Sequence, residues 1–101
     1  MGLDAVFYNR EDQVVNEMEI SADLHDGIFN KTNNWGSYLL LRKLKDYYKT
    51  DLTLTKGEMD QLRDELKQVS IFLNSRYKSE LFKLIVALGD TDVSKVHIAG
   101  D

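Results

Sequence analysis

Residues 3–20, LDAVFYNREDQVVNEMEI, predict a β-hairpin that decides the fold. Two runs rich in β-branched and aromatic residues flank the polar turn at 9–12. If Tyr8 lies opposite Gln13, residues 3, 5 and 7 share a face with residues 14, 16, 18 and 20, and only Asn16 on that face is polar. A shift of one residue would turn Glu17 and Glu19 inward, which costs several kcal/mol for each buried charge. The pattern therefore predicts a hairpin with one covered face.

The segment after the hairpin predicts helical structure of two lengths. Residues 21–27 predict a single helical turn that begins at Ser21 and ends at Gly27. A long helix is predicted to begin near Asn33 or Asn34 and to end near Thr50, with leucines at helical spacing inside it. Residues 52–54 follow as a short extended connection.

The strongest local pattern in the chain is the capping box Thr55-Lys56-Gly57-Glu58, which predicts the start of a second helix. This helix is expected to bury the residues Met59, Leu62, Leu66, Val69, Phe72 and Leu73. A third helix is expected to end at Gly89, with the inward residues Tyr77, Leu81, Leu84, Ile85 and Leu88.

The end of the chain predicts a third strand within residues 93–99, in which Val96 and Ile98 face one way and Lys95 and His97 the other. We therefore expect residues 1–101 to form one α+β domain, in which a small, mainly antiparallel sheet packs against about three helices. The sheet would comprise the N-terminal hairpin and the C-terminal strand.

Composition limits the function. The chain has 101 residues, no cysteine, two histidines and a formal charge of −4. A secreted domain of this size usually carries disulfides, so we expect a cytoplasmic protein. No apolar run is long enough to span a bilayer, and the acidic balance is opposite to that of most nucleic-acid-binding domains. We find no motif for a cofactor or for catalysis, and we expect neither an enzyme nor a bound cofactor.

The charges are unevenly distributed along the chain. Residues 1–30 hold seven acidic residues and one basic residue, a formal charge of −6, whereas residues 31–50 hold five basic residues and one acidic residue, a charge of +4. Such asymmetry can orient a charged partner, although packing of the two segments together would neutralise it. The residues expected to bind a partner are Asp4, Glu17, Glu19, Asp23 and Asp26, with Trp35 as an aromatic contact if it is exposed.

Two of the acidic clusters could also support an enzyme or a metal site, and self-association is a further alternative. Asp23, His25 and Asp26 have side chains that suit a metal ion, and Asp4 and Glu17 could be a cross-strand carboxylate pair for acid–base chemistry. Either arrangement would make the chain a small enzyme or a metal-binding protein. The third possibility is a self-associating regulatory module that uses an exposed strand edge or the second helix.

Met1-Gly2-Leu3-Asp4, followed by a hydrophobic strand that ends at Tyr8, resembles the start of a loose group of small phage and bacterial proteins. The resemblance implies a prophage or mobile-element context and transfers no functional residue. With the acidic N-terminal segment, it favours a non-catalytic binding protein of the immunity, antitoxin or phage counter-defence type. Its partner would be a basic protein, for example a nuclease toxin.

Overall fold

A computed structural model describes residues 2–30, 36, 38–45 and 50–100 of the chain. Within these described residues, four strands and three α-helices follow one another in the order β1, β2, α1, β3, α2, α3 and β4. Their bounds are Gly2–Tyr8 for β1, Val14–Ser21 for β2, Ala22–Phe29 for α1, Asp51–Thr55 for β3, Lys56–Ser70 for α2, Ser75–Leu88 for α3 and Lys95–Gly100 for β4. A short 3₁₀ helix, Leu41–Leu44, precedes β3. The α+β fold is confirmed.

The strands form one antiparallel sheet in the order β2-β1-β4-β3. The C-terminal strand β4 therefore pairs with β1, and residues 51–55 form a fourth strand beside it. The sequence predicted only an extended connection at residues 52–54. The alternation of Leu and Thr in β3 was too short to distinguish a paired strand from a connection, and β4 supplies the hydrogen-bonding partner that decides it.

The predicted hairpin register is wrong, and the predicted faces are right for residues 16–20 but not for Val14, which was expected beside Phe7 and instead pairs with Tyr8. Tyr8 pairs with Val14, and after an irregularity between Phe7 and Tyr8 the pairing sets Asp4 opposite Glu19. The reason lies in the turn, where the Asn9 side chain accepts hydrogen bonds from the backbone N–H groups of Glu11 and Gln13. Gln13 thus belongs to the turn. Between residues 2 and 7 the register differs from the predicted one by two residues, which returns each side chain to the same face.

One face of the sheet is covered by the helices. Leu3, Ala5 and Phe7 of β1 are completely buried there, together with Val96 and Ile98 of β4. Burial of apolar area stabilises the fold by roughly 25 cal/mol per Å², and this layer forms one side of a core whose other side comes from the helices. Within β2, Ile20 is buried, Met18 is half-buried and Asn16 is exposed. The helices therefore cover the end of this edge strand near Ile20 and leave its beginning exposed.

Helix α1 begins where predicted but does not end at Gly27. The Ser21 hydroxyl accepts a hydrogen bond from the Leu24 N–H and caps the helix. The helix then continues to Phe29, and Gly27 is buried inside it. A Cβ atom at Gly27 would lie 2.9 Å from ring carbons of Tyr77 on α3. The glycine therefore permits two helices to approach closely, a role that its position in the sequence did not distinguish from a helix end.

Helices α2 and α3 agree with most of the sequence predictions. The capping box at Thr55 and Glu58 is formed, and Gly89 is the C-cap of α3. The predicted inward residues of α3 are buried, as are Met59, Leu62, Leu66, Val69 and Leu73. Phe72 is an exception: it is about half exposed, because α2 ends at Ser70 and the periodicity of the helix no longer applies.

The segment predicted as a long helix from Asn33 or Asn34 to Thr50 differs from that prediction where it is described. Residues 38–45 form turns and the 3₁₀ helix rather than an α-helix, while residues 31–35, 37 and 46–49 lie outside the described residues. Leu40, Leu41 and Leu44 are nevertheless buried. Among the described helices, none is both long and apolar enough to cross a membrane.

Glu65 of α2 explains the local geometry of this segment. Its side chain is buried, and Oε1 accepts hydrogen bonds from the backbone N–H groups of Leu40 at 3.1 Å and Leu41 at 2.8 Å. Gln61 donates to the other oxygen at 2.9 Å. A carboxylate from another helix thus supplies the N-terminal acceptor that the short 3₁₀ helix lacks in its own sequence.

Candidate partner-binding face

The second face of the sheet carries the candidate site, and we call it the open face. Because side chains alternate along each strand, this face holds the residues between the buried ones. It comprises Asp4, Val6 and Tyr8 of β1, Glu17 and Glu19 of β2, Asp51, Thr53 and Thr55 of β3, and Lys95, His97 and Ala99 of β4. The members on the two edge strands are exposed, and most of those on the two central strands are half-buried.

Three of the predicted partner-binding residues meet on the open face. Asp4 lies directly opposite Glu19, and Glu17 lies opposite Val6. The predicted Asp4–Glu17 cross-strand pair is therefore wrong, because the two-residue shift brings Glu19 to that place. These side chains border a shallow depression of about 410 Å³ over β1 and β2. Like charges directly opposite each other repel, and a cation placed between them relieves that repulsion.

The remainder of the open face is more mixed in charge. Lys95 forms an ion pair with Asp12 at 2.7 Å, and its ammonium lies 5.2 Å from the centre of the Tyr8 ring. His97 contacts Asp51 through Nε2 and Oδ1 at 2.6 Å. With His97 neutral, the four carboxylates and one ammonium of the open face give it a formal charge of −3.

The centre of the open face is apolar and aromatic, and charged groups border it. Val6 lies between Glu17 on one neighbouring strand and His97 on the other. Tyr8 provides an aromatic ring on the same strand. A half-buried apolar centre bordered by charged groups resembles the arrangement of protein–protein interfaces, in which the rim is polar.

The other predicted partner-binding residues lie elsewhere. Asp23 is on α1 in the helical layer and forms an ion pair with Arg76 of α3, with 2.8 Å between oxygen and nitrogen. Asp26 is on the same helix and accepts a hydrogen bond from the Asn30 side chain at 2.6 Å. Trp35 lies outside the described residues. The predicted acidic surface is thus divided between the two sides of the sheet.

The three residues of the metal hypothesis have separate contacts. His25 is buried, and its Nε2 lies 2.8 Å from the Leu44 carbonyl oxygen, so this nitrogen donates the hydrogen bond. Its ring also lies against that of Phe29, with 4.6 Å between centroids. Asp23 and Asp26 hold the partners given above. In the described part of the chain, no three His, Asp or Glu side chains form a group that could hold a metal ion.

Asp51 and His97 are the members of the site that the sequence indicated least. His97 was placed on the outer side of the last strand, which the structure confirms, but its partner is 46 residues distant. The signal that could have found Asp51 is the alternation DLTLT in 51–55, which places residues 51, 53 and 55 on one face. Only the pairing of β3 with β4 brings the two side chains together.

The fold and this face define the class of protein as an α+β domain with a one-sided antiparallel sheet. Comparison of the chain with protein-family models, with curated proteins and with solved structures gave no match. The site is consequently interpreted from its own residues.

Proposed function

We propose that this protein acts by binding a basic partner protein through the open face of its sheet, in the manner of an immunity protein, an antitoxin or a phage counter-defence protein. The observation that carries the proposal is the formal charge of −3 on a sheet face that the described helices leave uncovered. Such a function needs a stable scaffold and a complementary surface, without turnover of a substrate.

The arrangement of the carboxylates supports electrostatic recognition. Asp4 and Glu19 lie on adjacent strands of a rigid sheet, so their charges are held together before a partner arrives. Preorganised charge of one sign raises the association rate of an oppositely charged protein. A guanidinium or ammonium of a partner placed between these two carboxylates would be attracted to both. The resemblance of the N-terminus to small phage and bacterial proteins favours a toxin or a host nuclease as the partner.

The experiment is a co-purification from the native host with two charge-reversed variants. In the test variant, Asp4→Lys/Glu19→Lys reverses two charges on the open face. In the matched control, Asp60→Lys/Asp64→Lys makes the same change in net charge on α2. We expect a basic protein to be retained by the wild type and the control and lost by the test variant. Its association rate with the test variant should fall about tenfold or more at low salt.

The salt dependence provides a second readout. Association of the wild type should slow markedly as the salt concentration rises, and association of the test variant should depend on salt much less. Retention of the same partner by both variants would refute a role for the open face, and so would loss of the partner from both variants to the same extent. A partner that is acidic would refute the electrostatic basis of the proposal.

A further inference from the structure

The helical layer has an exposed apolar surface of its own. Phe82 and Val86 lie one turn apart on α3 and are 66% and 57% exposed, and Ile71, directly after α2, is 73% exposed. Single exposed apolar residues are common on protein surfaces. Two of them on one stripe of a helix, next to a groove, indicate a surface that another molecule can cover.

The groove between α2 and α3 is apolar at its base and basic at its rim. It has a volume of about 210 Å³, and its lining consists of Lys67 and Ser70 from α2 and Lys78, Leu81, Phe82 and Ile85 from α3. None of the described residues that line it is a carboxylate. Within the described ranges, neither Lys67 nor Lys78 forms an ion pair. The groove is therefore opposite in charge to the open face.

The charge of the rim decides between possible occupants. A two-fold contact through this groove would bring the basic rim of one copy, with Lys67 and Lys78, close to the same basic rim of the other, because both copies use the same surface patch. Like charges brought together in this way disfavour association. A groove between two helices is also concave, a shape that fits a single rod of side chains better than a flat lipid surface.

We propose that the α2–α3 groove binds an amphipathic α-helix from a partner protein, with an apolar stripe flanked by carboxylates. Apolar side chains of that helix at positions i, i+3, i+4 and i+7 would contact Phe82 and Ile85, as in other helix-in-groove complexes. Its Asp or Glu side chains would pair with Lys67 and Lys78. This surface lies apart from the open face, so each can be tested with the other intact.

The test uses a pair of synthetic helical peptides as probes. Both carry Leu at positions i, i+3, i+4 and i+7; one carries Glu at the flanking positions and the other Lys. Each is titrated into the full ¹⁵N-labelled chain, and backbone amide shifts are followed by NMR. We expect the Glu peptide to shift the amides of Lys67, Ser70, Lys78 and Phe82, and the Lys peptide to bind at these amides at least about tenfold more weakly, whatever its binding to the acidic open face.

Variants make the assignment specific. Phe82→Ser should lower the affinity for the Glu peptide by about tenfold or more, since a central aromatic contact usually dominates such an interface. Lys67→Glu/Lys78→Glu should reverse the preference, so that the Lys peptide binds better. Arg10→Glu/Arg42→Glu changes the net charge equally outside the groove and should leave both affinities unchanged. All these positions are exposed, and circular dichroism melts of each variant serve as the control for folding.

Several outcomes would overturn the proposal. Equal affinities of the two peptides measured at the groove amides, or shifts confined to the open face, would remove the groove as the site of recognition. Binding to vesicles of phosphatidylserine and phosphatidylcholine that is lost in Phe82→Ser, with no binding of the Glu peptide, would assign the surface to a membrane. A dimer in sedimentation that Phe82→Ser dissociates, again with no binding of the peptide, would assign it to a second copy.

Discussion

The two faces of the sheet present side chains from the same strands to opposite environments. Along β1, Phe7 is completely buried under the helices, whereas its neighbour Val6 lies on the open face between Glu17 and His97. The covered face is apolar apart from Asn16 on the edge strand β2, and the open face carries a net negative charge. The difference suggests a division in which substitutions on the covered face chiefly change stability and those on the open face chiefly change binding.

The same contrast applies to carboxylates. Glu65 is buried in the helical layer with three hydrogen-bond donors, and Glu19 stands exposed opposite Asp4. A buried carboxylate is tolerated because its oxygens replace lost water with N–H donors. An exposed one keeps much of its hydration and needs fewer donors from the protein. Residue type alone therefore does not distinguish a structural glutamate from a binding one.

The largest expected effect comes from Phe7→Ala. Removal of a completely buried aromatic side chain from the centre of the covered face should lower the free energy of unfolding by about 3–5 kcal/mol. Val6→Ala is the matched control on the open face of the same strand and should cost less than about 1 kcal/mol. Urea unfolding followed by circular dichroism measures both. Similar losses for the two variants would contradict the division between the faces.

Glu65→Ala should cause the second-largest loss of stability. It leaves the backbone N–H groups of Leu40 and Leu41 without their acceptor in a buried place, at a cost of about 2–3 kcal/mol. Glu65→Gln retains one acceptor oxygen and should lose less. Glu19→Ala on the open face serves as the control and should change stability by less than about 0.5 kcal/mol. If Glu65→Ala were as stable as this control, the carboxylate would not be holding residues 38–45 in place.

The close approach of α1 and α3 predicts a smaller decrease in the free energy of unfolding. Gly27→Ala introduces a methyl group against the Tyr77 ring and should destabilise the protein by about 1–3 kcal/mol, although alanine favours a helix. Gly57→Ala, in the first turn of α2 with open space around it, should instead stabilise by about 0.5 kcal/mol. Thermal melts of the two variants should shift in opposite directions, and a stabilising Gly27→Ala would contradict the contact.

The smallest effect concerns the capping box and its dependence on pH. Hydrogen bonds from the Thr55 backbone N–H and hydroxyl lower the pKa of the Glu58 carboxyl below its ordinary value of 4.5, and the charge of Lys43 acts in the same direction. Because the pKa of Glu58 is lower in the folded state than in the unfolded state, its ionised carboxylate stabilises the folded protein. This contribution is complete above about pH 4.5 and is lost as the pH falls through the folded-state pKa.

Glu58→Gln should therefore show a slightly shallower loss of stability between neutral and acidic pH than the wild type. Denaturant midpoints measured across this range provide the comparison. Glu17→Gln, on the open face, is the control for the removal of one carboxylate. A profile for Glu58→Gln that parallels the wild type would show that the capping box contributes nothing that depends on pH.

Most of the fold could be predicted from local patterns. The capping box at Thr55 and Glu58 and the helical spacing in α3 depend on neighbours in sequence, and both were predicted correctly. The alternation in residues 3–20 predicted the hairpin and most of its inward residues, but not its register. The candidate site was predicted only in part. Asp4, Glu17 and Glu19 come together because alternation assigns them to one face, whereas Asp23 belongs to a helix on the other side of the sheet.

The sequence by itself determined which residues face inward on each long element, because the periods of helices and strands are local properties. Tertiary structure alone decided the strand order β2-β1-β4-β3, the pairing that makes residues 51–55 a strand, and the contact of His97 with Asp51. It also decided that Gly27 lies within a helix and that Glu65 caps the segment before β3. These features depend on contacts between residues far apart in the chain, and a local pattern carries no information about them.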